Sequence, residues 1–150
     1  MRTATIARGS VRVNSFVDGE SLEAEINYIT GQVCSVSVNI ADRYFAFAQA
    51  GDLFAALCGA REILERDAVL LQIVGSLPNV YPSQLLRNTD YGRYAYKLSI
   101  PRTPDKPELV DIFESALNDA VLSSVHEQRE WFWRWLASSR RGRIGAHRAR

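Results

Sequence analysis

The sequence has few of the residues that metal centres and disulfide scaffolds need. It contains two cysteines, Cys34 and Cys58, and two histidines, His126 and His147, in 150 residues. A zinc site takes about four closely arranged ligands, so the number and spacing of these cysteines and histidines predict no metal site. No motif in the chain suggests a cofactor. We expect both cysteines to be buried free thiols in a reducing compartment.

Long apolar runs are also missing. The longest are a few residues, far below the roughly 20 that cross a membrane. The first residues lack the apolar stretch of a secretory signal, so we expect a cytoplasmic protein with no membrane partner. With 47% hydrophobic and 23% charged residues, the composition is that of an ordinary globular chain, and its length suits one domain.

The net charge of +1 hides an asymmetry along the chain. Five of the 18 basic residues lie in residues 140–150, where there is no acid, so residues 1–139 carry 13 basic and 17 acidic side chains, a net charge of −4. An acidic body is a poor platform for nucleic acid but a suitable surface for a basic protein partner. We therefore expect a domain over residues 1–138 and a basic, mobile tail over residues 139–150.

Alternation of apolar and polar residues predicts most of the strands. The expected strands are residues 11–17, 33–40, 43–49, 68–74 and 93–100. The second and third of these should form a hairpin, with the small Ala46 and Ala48 facing a helix and Phe45 and Phe47 on the other side. Residues 20–31 fit either a helix or a strand, and we favour the helix because Leu22 and Ile26 have helical spacing.

Three further helices complete the expected fold. Asp52 should cap a helix to residue 66, with Arg61 and Glu65 facing water. A second should run from residue 105 to residue 122, and Ser124 with Glu127 should cap a third, residues 125–138. The apolar face predicted for the second consists of Leu109, Ile112, Phe113, Ala116, Leu117, Ala120 and Val121. The fold class is α+β, a small antiparallel sheet packed by helices in a single domain.

The segment from residue 75 to residue 92 is the most informative loop, because 18 residues is long for a connection between strands. Its aromatic and guanidinium side chains are the types that anchor protein interfaces, and Ser83 can start one helical turn. Alternatively, its apolar residues only close one end of the core. The candidate binding residues are Tyr81, Gln84, Arg87, Asn88, Asp90, Tyr91 and Arg93. Alanine at Tyr81 and Arg87 should then weaken binding and leave the fold intact.

No pattern for catalysis is present. Ser83 lacks the flanking glycines of a nucleophile elbow, and His126 is expected at the surface in the first turn of a helix. The Gly75-Ser76 turn lacks the spacing and the lysine of a phosphate-binding loop. We expect a protein that is not an enzyme and has no small-molecule substrate.

The tryptophan-rich helix has three possible uses. Phe132, Trp135 and Leu136 can face inward, whereas Trp131 and Trp133 cannot both do so. An exposed tryptophan beside the arginine tail could stack on bases, which would make the chain a nucleic-acid-binding accessory protein. Closing the core or docking a protein partner are the alternatives.

Six stretches of the chain form one set: residues 42–47, 52–53, 61–65, 75–83, 92–96 and 109–113. Together they resemble small bacterial immunity proteins that are encoded beside polymorphic toxins, including those of contact-dependent growth inhibition. The resemblance covers roughly residues 20–115, and its strongest part is the Asn79-Val80-Tyr81-Pro82-Ser83 loop with the Ala95-Tyr96 strand that follows.

The resemblance implies a protective function. Such a protein forms a heterodimer with the C-terminal toxin domain of a delivered effector and neutralises it in the cytoplasm. These toxins are commonly nucleases, which an acidic partner would suit. The resemblance implies no catalytic residue and no cofactor in the immunity protein.

Overall fold

The computed structural model describes the backbone of residues 6–148 and the side chains of residues 6–138. Four long strands come first, and shorter strands alternate with three helices after them. In chain order the elements are β1 (Ala7–Val17), β2 (Glu20–Thr30), β3 (Cys34–Ile40), β4 (Tyr44–Ala50), α1 (Leu53–Glu65), β5 (Val69–Leu71), β6 (Val80–Tyr81), α2 (Gln84–Thr89), β7 (Tyr94–Lys97), β8 (Glu108–Asp111) and α3 (Val125–Arg148).

The strands form two antiparallel sheets. The larger has the order β4-β3-β2-β1-β5, and the smaller has the order β6-β7-β8. The predicted α+β class is therefore confirmed, although the strands divide into two sheets where we expected one. The predicted hairpin of β3 and β4 is present with an unbroken register from Cys34–Ala50 to Ile40–Tyr44.

The predicted helix over residues 20–31 is wrong, because this segment is β2. Its residues alternate strictly, with Ala24 and Ile26 fully buried and Glu23 and Glu25 exposed. β2 pairs with β1 over eleven consecutive residues. Asp18 and Gly19 join the two strands with φ of 52° and 81°, the left-handed conformation of a two-residue hairpin turn. Pairing on both edges of β2 outweighs a weak helical spacing.

The predicted helix over residues 105–122 is also wrong. Its start is β8, and the backbone that follows hydrogen-bonds to the segment after β5. Amides of Val74 and Gly75 donate to the carbonyls of Glu114 and Ile112 at 2.8 and 2.9 Å. A Cβ at Gly75 would lie 2.8 Å from the Ile112 oxygen, so only glycine permits this approach. Leu109, Leu117 and Val121, three of the residues expected in the core, are more than half exposed.

Helix α1 packs on the larger sheet as expected. Ala46 is buried and Ala48 half-buried, and a Cβ at Gly59 would come within 2.8 Å of the Ala48 Cβ. The Asp52 side chain accepts a hydrogen bond from the Ala55 amide at 2.8 Å, which confirms the predicted cap. Small side chains on both surfaces let the helix lie close to the sheet.

Arg61 is buried, contrary to the prediction that it faces water. It is 2% exposed, and its guanidinium donates to the Gly75 carbonyl at 3.0 Å, to Gln128 Oε1 at 2.7 Å and to the Ser123 carbonyl at 2.9 Å. Burial lowers the pKa of Arg61 below its ordinary value, while the thiol of Cys58 and the carboxylate of Glu65 oppose that shift. These bonds join α1 to the start of α3.

Gln128 completes this buried polar junction. It is 1% exposed, and the two hydrogens of its Nε2 are shared among three main-chain carbonyls, those of Gly75, Leu77 and Val80, at 2.9, 2.8 and 3.1 Å. The junction therefore holds the segment between β5 and β6, which leads directly into α2.

Helix α3 begins as predicted. The Ser124 amide donates to Glu127 Oε1 at 2.9 Å, and the Glu127 amide donates to Ser124 Oγ at 3.1 Å. These hydrogen bonds lower the pKa of Glu127 below its ordinary value. The helix continues to Arg148, ten residues past its expected end. The side chains of the predicted basic tail lie outside the described residues, so its mobility stays a prediction.

Candidate protein-binding site

The segment from Tyr81 to Arg93, which holds all the candidate residues, folds as one tight unit around α2. Ser83 caps the helix, its Oγ accepting a hydrogen bond from the Leu86 amide at 3.1 Å. Tyr91 and Gly92 have φ of 57° and 71°, and they reverse the chain so that the Gly92 amide reaches the Leu86 carbonyl at 3.1 Å. The predicted helical turn after Pro82 is thus confirmed as a six-residue helix.

This unit is fixed to the beginning of α1. Arg87 Nη1 donates to Asp52 Oδ2 at 2.9 Å, and both side chains are largely buried, 21% and 13% exposed. The Leu53 amide donates to the Tyr91 carbonyl at 2.6 Å. The Arg87 guanidinium also lies over the rings of Phe54 and Tyr81, 5.3 and 5.5 Å from their centroids.

Tyr81 lies in an aromatic stack between α1 and α3. Its ring is nearly parallel to that of Phe132, with centroids 3.9 Å apart, and meets Phe54 edge-on at 5.1 Å. Phe132 in turn stacks on Trp135 at 5.7 Å. Tyr81 therefore closes one end of the core, the alternative that the sequence had left open.

Arg93 fastens the other end of the segment. It binds Asp111 through Nε at 3.3 Å and Nη2 at 3.2 Å, and Nη1 donates to the Tyr28 hydroxyl. Burial disfavours its charge, but the hydrogen bond and the charge of Asp111 raise the pKa of Arg93 above its ordinary value. Tyr28 stacks on Phe113 at 4.8 Å, with the guanidinium 5.0 Å from the Tyr28 ring.

The seven candidate residues thus fall into two groups. The half-buried group holds α2 in place and consists of Tyr81, Arg87, Tyr91 and Arg93. The exposed group consists of Gln84, Asn88 and Asp90. Because Tyr81 and Arg87 pack against the body, alanine at either position should change stability, whereas the sequence led us to expect an intact fold.

Leu85 is the site residue that sequence reasoning missed. It is 67% exposed, on the same short helix as Gln84 and Asn88, whose side chains hydrogen-bond to each other at 3.3 Å. We name this surface the α2 face. One of the two alternatives from the sequence was that Leu85 closes one end of the core with the other apolar residues of this loop, because an apolar residue next to Leu86 gives no sign of its direction. The α2 face consists of Gln84, Leu85, Asn88, Thr89 and Asp90.

The arrangement suits binding. An exposed leucine with amide and carboxylate neighbours can contact a partner protein, and anchoring to α1 fixes the geometry before any contact. The Ser83 hydroxyl is used as a helix cap, and His126 Nε2 lies 3.0 Å from Glu130 Oε1 on the exposed surface of α3. Within residues 6–138, no cluster of three or more histidine, cysteine or acidic side chains could hold a metal ion.

The tryptophan-rich part of α3 is arranged as predicted. Phe132, Trp135 and Leu136 are half-buried, and Trp133 is 67% exposed. Arg102 covers the Trp135 ring, its Cζ 3.5 Å from the centroid. Trp133 therefore offers the most accessible indole face among the described tryptophans.

Neither a protein-family model nor a curated protein matches the chain. Within the described part of the chain, no helix is both long and apolar enough to cross a membrane.

Proposed function

We propose that this protein is an immunity protein that binds and neutralises a cognate toxin domain, a nuclease, delivered by neighbouring bacteria. The resemblance of six sequence stretches to such proteins supports the proposal. The observation that carries it on the structural side is the α2 face, a small exposed surface held rigidly by Asp52–Arg87 and Arg93–Asp111.

Neutralisation by binding requires no chemistry from this chain. Under this proposal it acts in the cytoplasm as a one-to-one partner, with no cofactor and no catalytic residue. The −4 charge of residues 1–139 supports a basic partner such as a nuclease, because opposite charges accelerate encounter. Leu85 is the central apolar contact, and the amides of Gln84 and Asn88 fix orientation around it.

Substitutions on the α2 face test where the toxin binds. Leu85→Arg should weaken the complex with a catalytically inactive toxin domain at least about tenfold, since it removes an apolar contact and introduces a bulky charge. Val33→Arg is the matched control, because Val33 is 58% exposed in the turn between β2 and β3. A titration by calorimetry gives both affinities, and circular dichroism shows whether each variant is folded.

Different outcomes separate the site from the function. If the wild-type protein binds the toxin and Leu85→Arg binds equally well, the α2 face is not the interface but the function stands. If the wild-type protein does not bind the toxin domain encoded next to it, the proposed function is wrong.

A nucleic-acid-binding accessory protein is the second candidate function. The exposure of Trp133 beside the exposed Arg134 favours it, because a free indole face next to a cation can stack on a base. Binding to a single-stranded oligonucleotide should then fall steeply with salt, and both Trp133→Ala and deletion of residues 140–150 should weaken it. No binding at low salt would eliminate this candidate.

A further inference from the structure

Strand β4 forms an edge of the larger sheet and has one hydrogen-bonded neighbour, β3. Edge strands are normally protected against pairing by charge, proline, a bulge or shortness. The seven residues of β4 include no charged residue and no proline, and their register with β3 has no interruption. The opposite edge, β5, is three residues long, and the β8 edge of the smaller sheet carries Glu108 and Asp111. Among the described sheet edges, β4 is the long and uncharged one.

Two phenylalanines stand on the outer face of this edge. Phe45 and Phe47 are 62% and 57% exposed. Their directly paired neighbours on β3 are Asn39 and Ser37, whose side chains are too small to cover the rings. The rings border a shallow depression that Asn27 also lines. The other face of β4 is covered by α1, so the available surface is the edge together with these two rings.

We propose that the β4 edge pairs with the β4 edge of a second copy of this chain, which joins the two larger sheets into one continuous antiparallel sheet. The strand is complementary to itself. With Ala46 opposite Ala46 of the second copy, Phe45 of each copy lies opposite Phe47 of the other, which gathers four rings on one face. Tyr44 then lies opposite Ala48, so large residues meet small ones on the α1 side.

The charges along β4 also allow a second copy of the chain to pair there. In the same register Arg43 lies opposite Gln49 of the second copy, so no like charges face each other along the strand. The contact is a two-fold one in which the same surface is used twice, and it closes at a dimer. The paired strands include none of the residues of the α2 face, so this inference does not depend on the proposed function.

The buried area sets the expected strength. At about 200 Å² for a whole phenylalanine, the exposed fractions correspond to roughly 240 Å² of ring surface in each copy. With the paired strands added, the interface is on the order of 1,000 Å², the low end for specific association. An interface of this size is typical of weak, transient association, so the dimer should form and dissociate reversibly with concentration.

The test is sedimentation and light scattering across the micromolar range. The average molecular mass of the wild-type protein should rise from that of a monomer to that of a dimer as the concentration increases. The amide hydrogens of residues 44–50 should exchange more slowly at high protein concentration. Phe45→Lys and Phe47→Lys each place a lysine on this edge and should weaken the dimer at least about tenfold. Leu85→Lys, an equally exposed substitution on α2, should leave the dimer unchanged.

Three results would overturn the inference. A monomeric mass throughout the range, with no added protection of residues 44–50, would show that the edges do not pair. A dimer that is insensitive to both lysine variants would place the contact elsewhere. A monomer whose lysine variants lose toxin binding would assign the edge to the toxin instead of a second copy.

Discussion

The carboxylate of Asp52 holds the Arg87 guanidinium at 2.9 Å through Oδ2 while its Oδ1 caps helix α1 at 2.8 Å. One buried side chain therefore sets both the beginning of α1 and the position of α2. The α2 face is presented from a fixed base, which reduces the ordering that a partner would have to impose.

Asp52→Ala should destabilise the protein by about 2 kcal/mol, because the helix loses its cap and Arg87 loses its carboxylate. Asp52→Asn can still cap and should cost about half as much. Urea unfolding measures both values. Asp90→Ala, an exposed acid at the end of α2, is the control and should change stability by less than about 0.5 kcal/mol. Equal effects of alanine at positions 52 and 90 would contradict this role for Asp52.

Gly92→Ala should be costly for a backbone reason. Gly92 has a φ of 71°, and a Cβ there would lie 3.0 Å from Asp52 Oδ1. We expect a loss of about 1–2 kcal/mol in unfolding free energy. Gly51→Ala is the matched control, since a Cβ at Gly51 meets nothing within 4 Å. Thermal unfolding of the two variants should separate clearly, and coinciding curves would refute the proposed strain.

Gln128→Leu should destabilise the protein by about 3 kcal/mol. The substitution removes the Oε1 acceptor from the buried Arg61 and the Nε2 donor from the carbonyls of Gly75, Leu77 and Val80, although Gly75 keeps its bond from Arg61. The exposed Gln84→Leu has the same chemistry and should change stability by less than about 0.5 kcal/mol. Chemical denaturation gives both numbers. A small effect at position 128 would mean that the junction is not important for stability.

The buried thiol of Cys58 should make the protein less stable at alkaline pH. Burial raises the pKa of its thiol above the ordinary value of 9.0, against the lowering effect of Arg61 and two other arginines. The folded state therefore keeps this proton to a higher pH than the unfolded state does. The resulting stability is present below pH 9.0 and is lost as pH rises through the folded pKa.

Urea unfolding between about pH 8 and pH 11 tests this linkage. In wild type the free energy of unfolding should decline above pH 9.0, the ordinary thiol pKa, and Cys58→Ala should make this decline less steep. Cys34→Ala keeps Cys58 in place, so the contribution of Cys58 to the decline should remain. Parallel declines in wild type and Cys58→Ala would show that this thiol does not contribute.

The correct and wrong expectations have separate physical causes. The Asp52 and Ser124 caps were predictable because capping depends on residues three positions apart. The β1–β2 hairpin also has a local signal, because Asp18-Gly19 is a favoured two-residue turn, and this signal is stronger than the helical spacing of Leu22 and Ile26. Turn and cap residues are therefore enough to locate these elements.

The remaining differences depend on contacts between distant parts of the chain. Residues 112–116 have a helical apolar pattern, yet their backbone bonds to residues 72–75 instead. Arg61 lies on a side of α1 that the sequence predicts to be solvated. Its burial is explained by the carbonyls of Gly75 and Ser123, which are distant in sequence. The exposure of Leu85 likewise depends on how Arg87 fixes α2. None of these arrangements follows from local spacing.

Co-expression with the cognate toxin domain, sought in the neighbouring reading frame, is the most direct test of the proposed immunity function. Cells producing both proteins should grow, and the two should purify as a stable complex with one toxin domain per copy of this chain. A lethal toxin that purifies without this protein, in cells where this protein is folded and abundant, would contradict the immunity function.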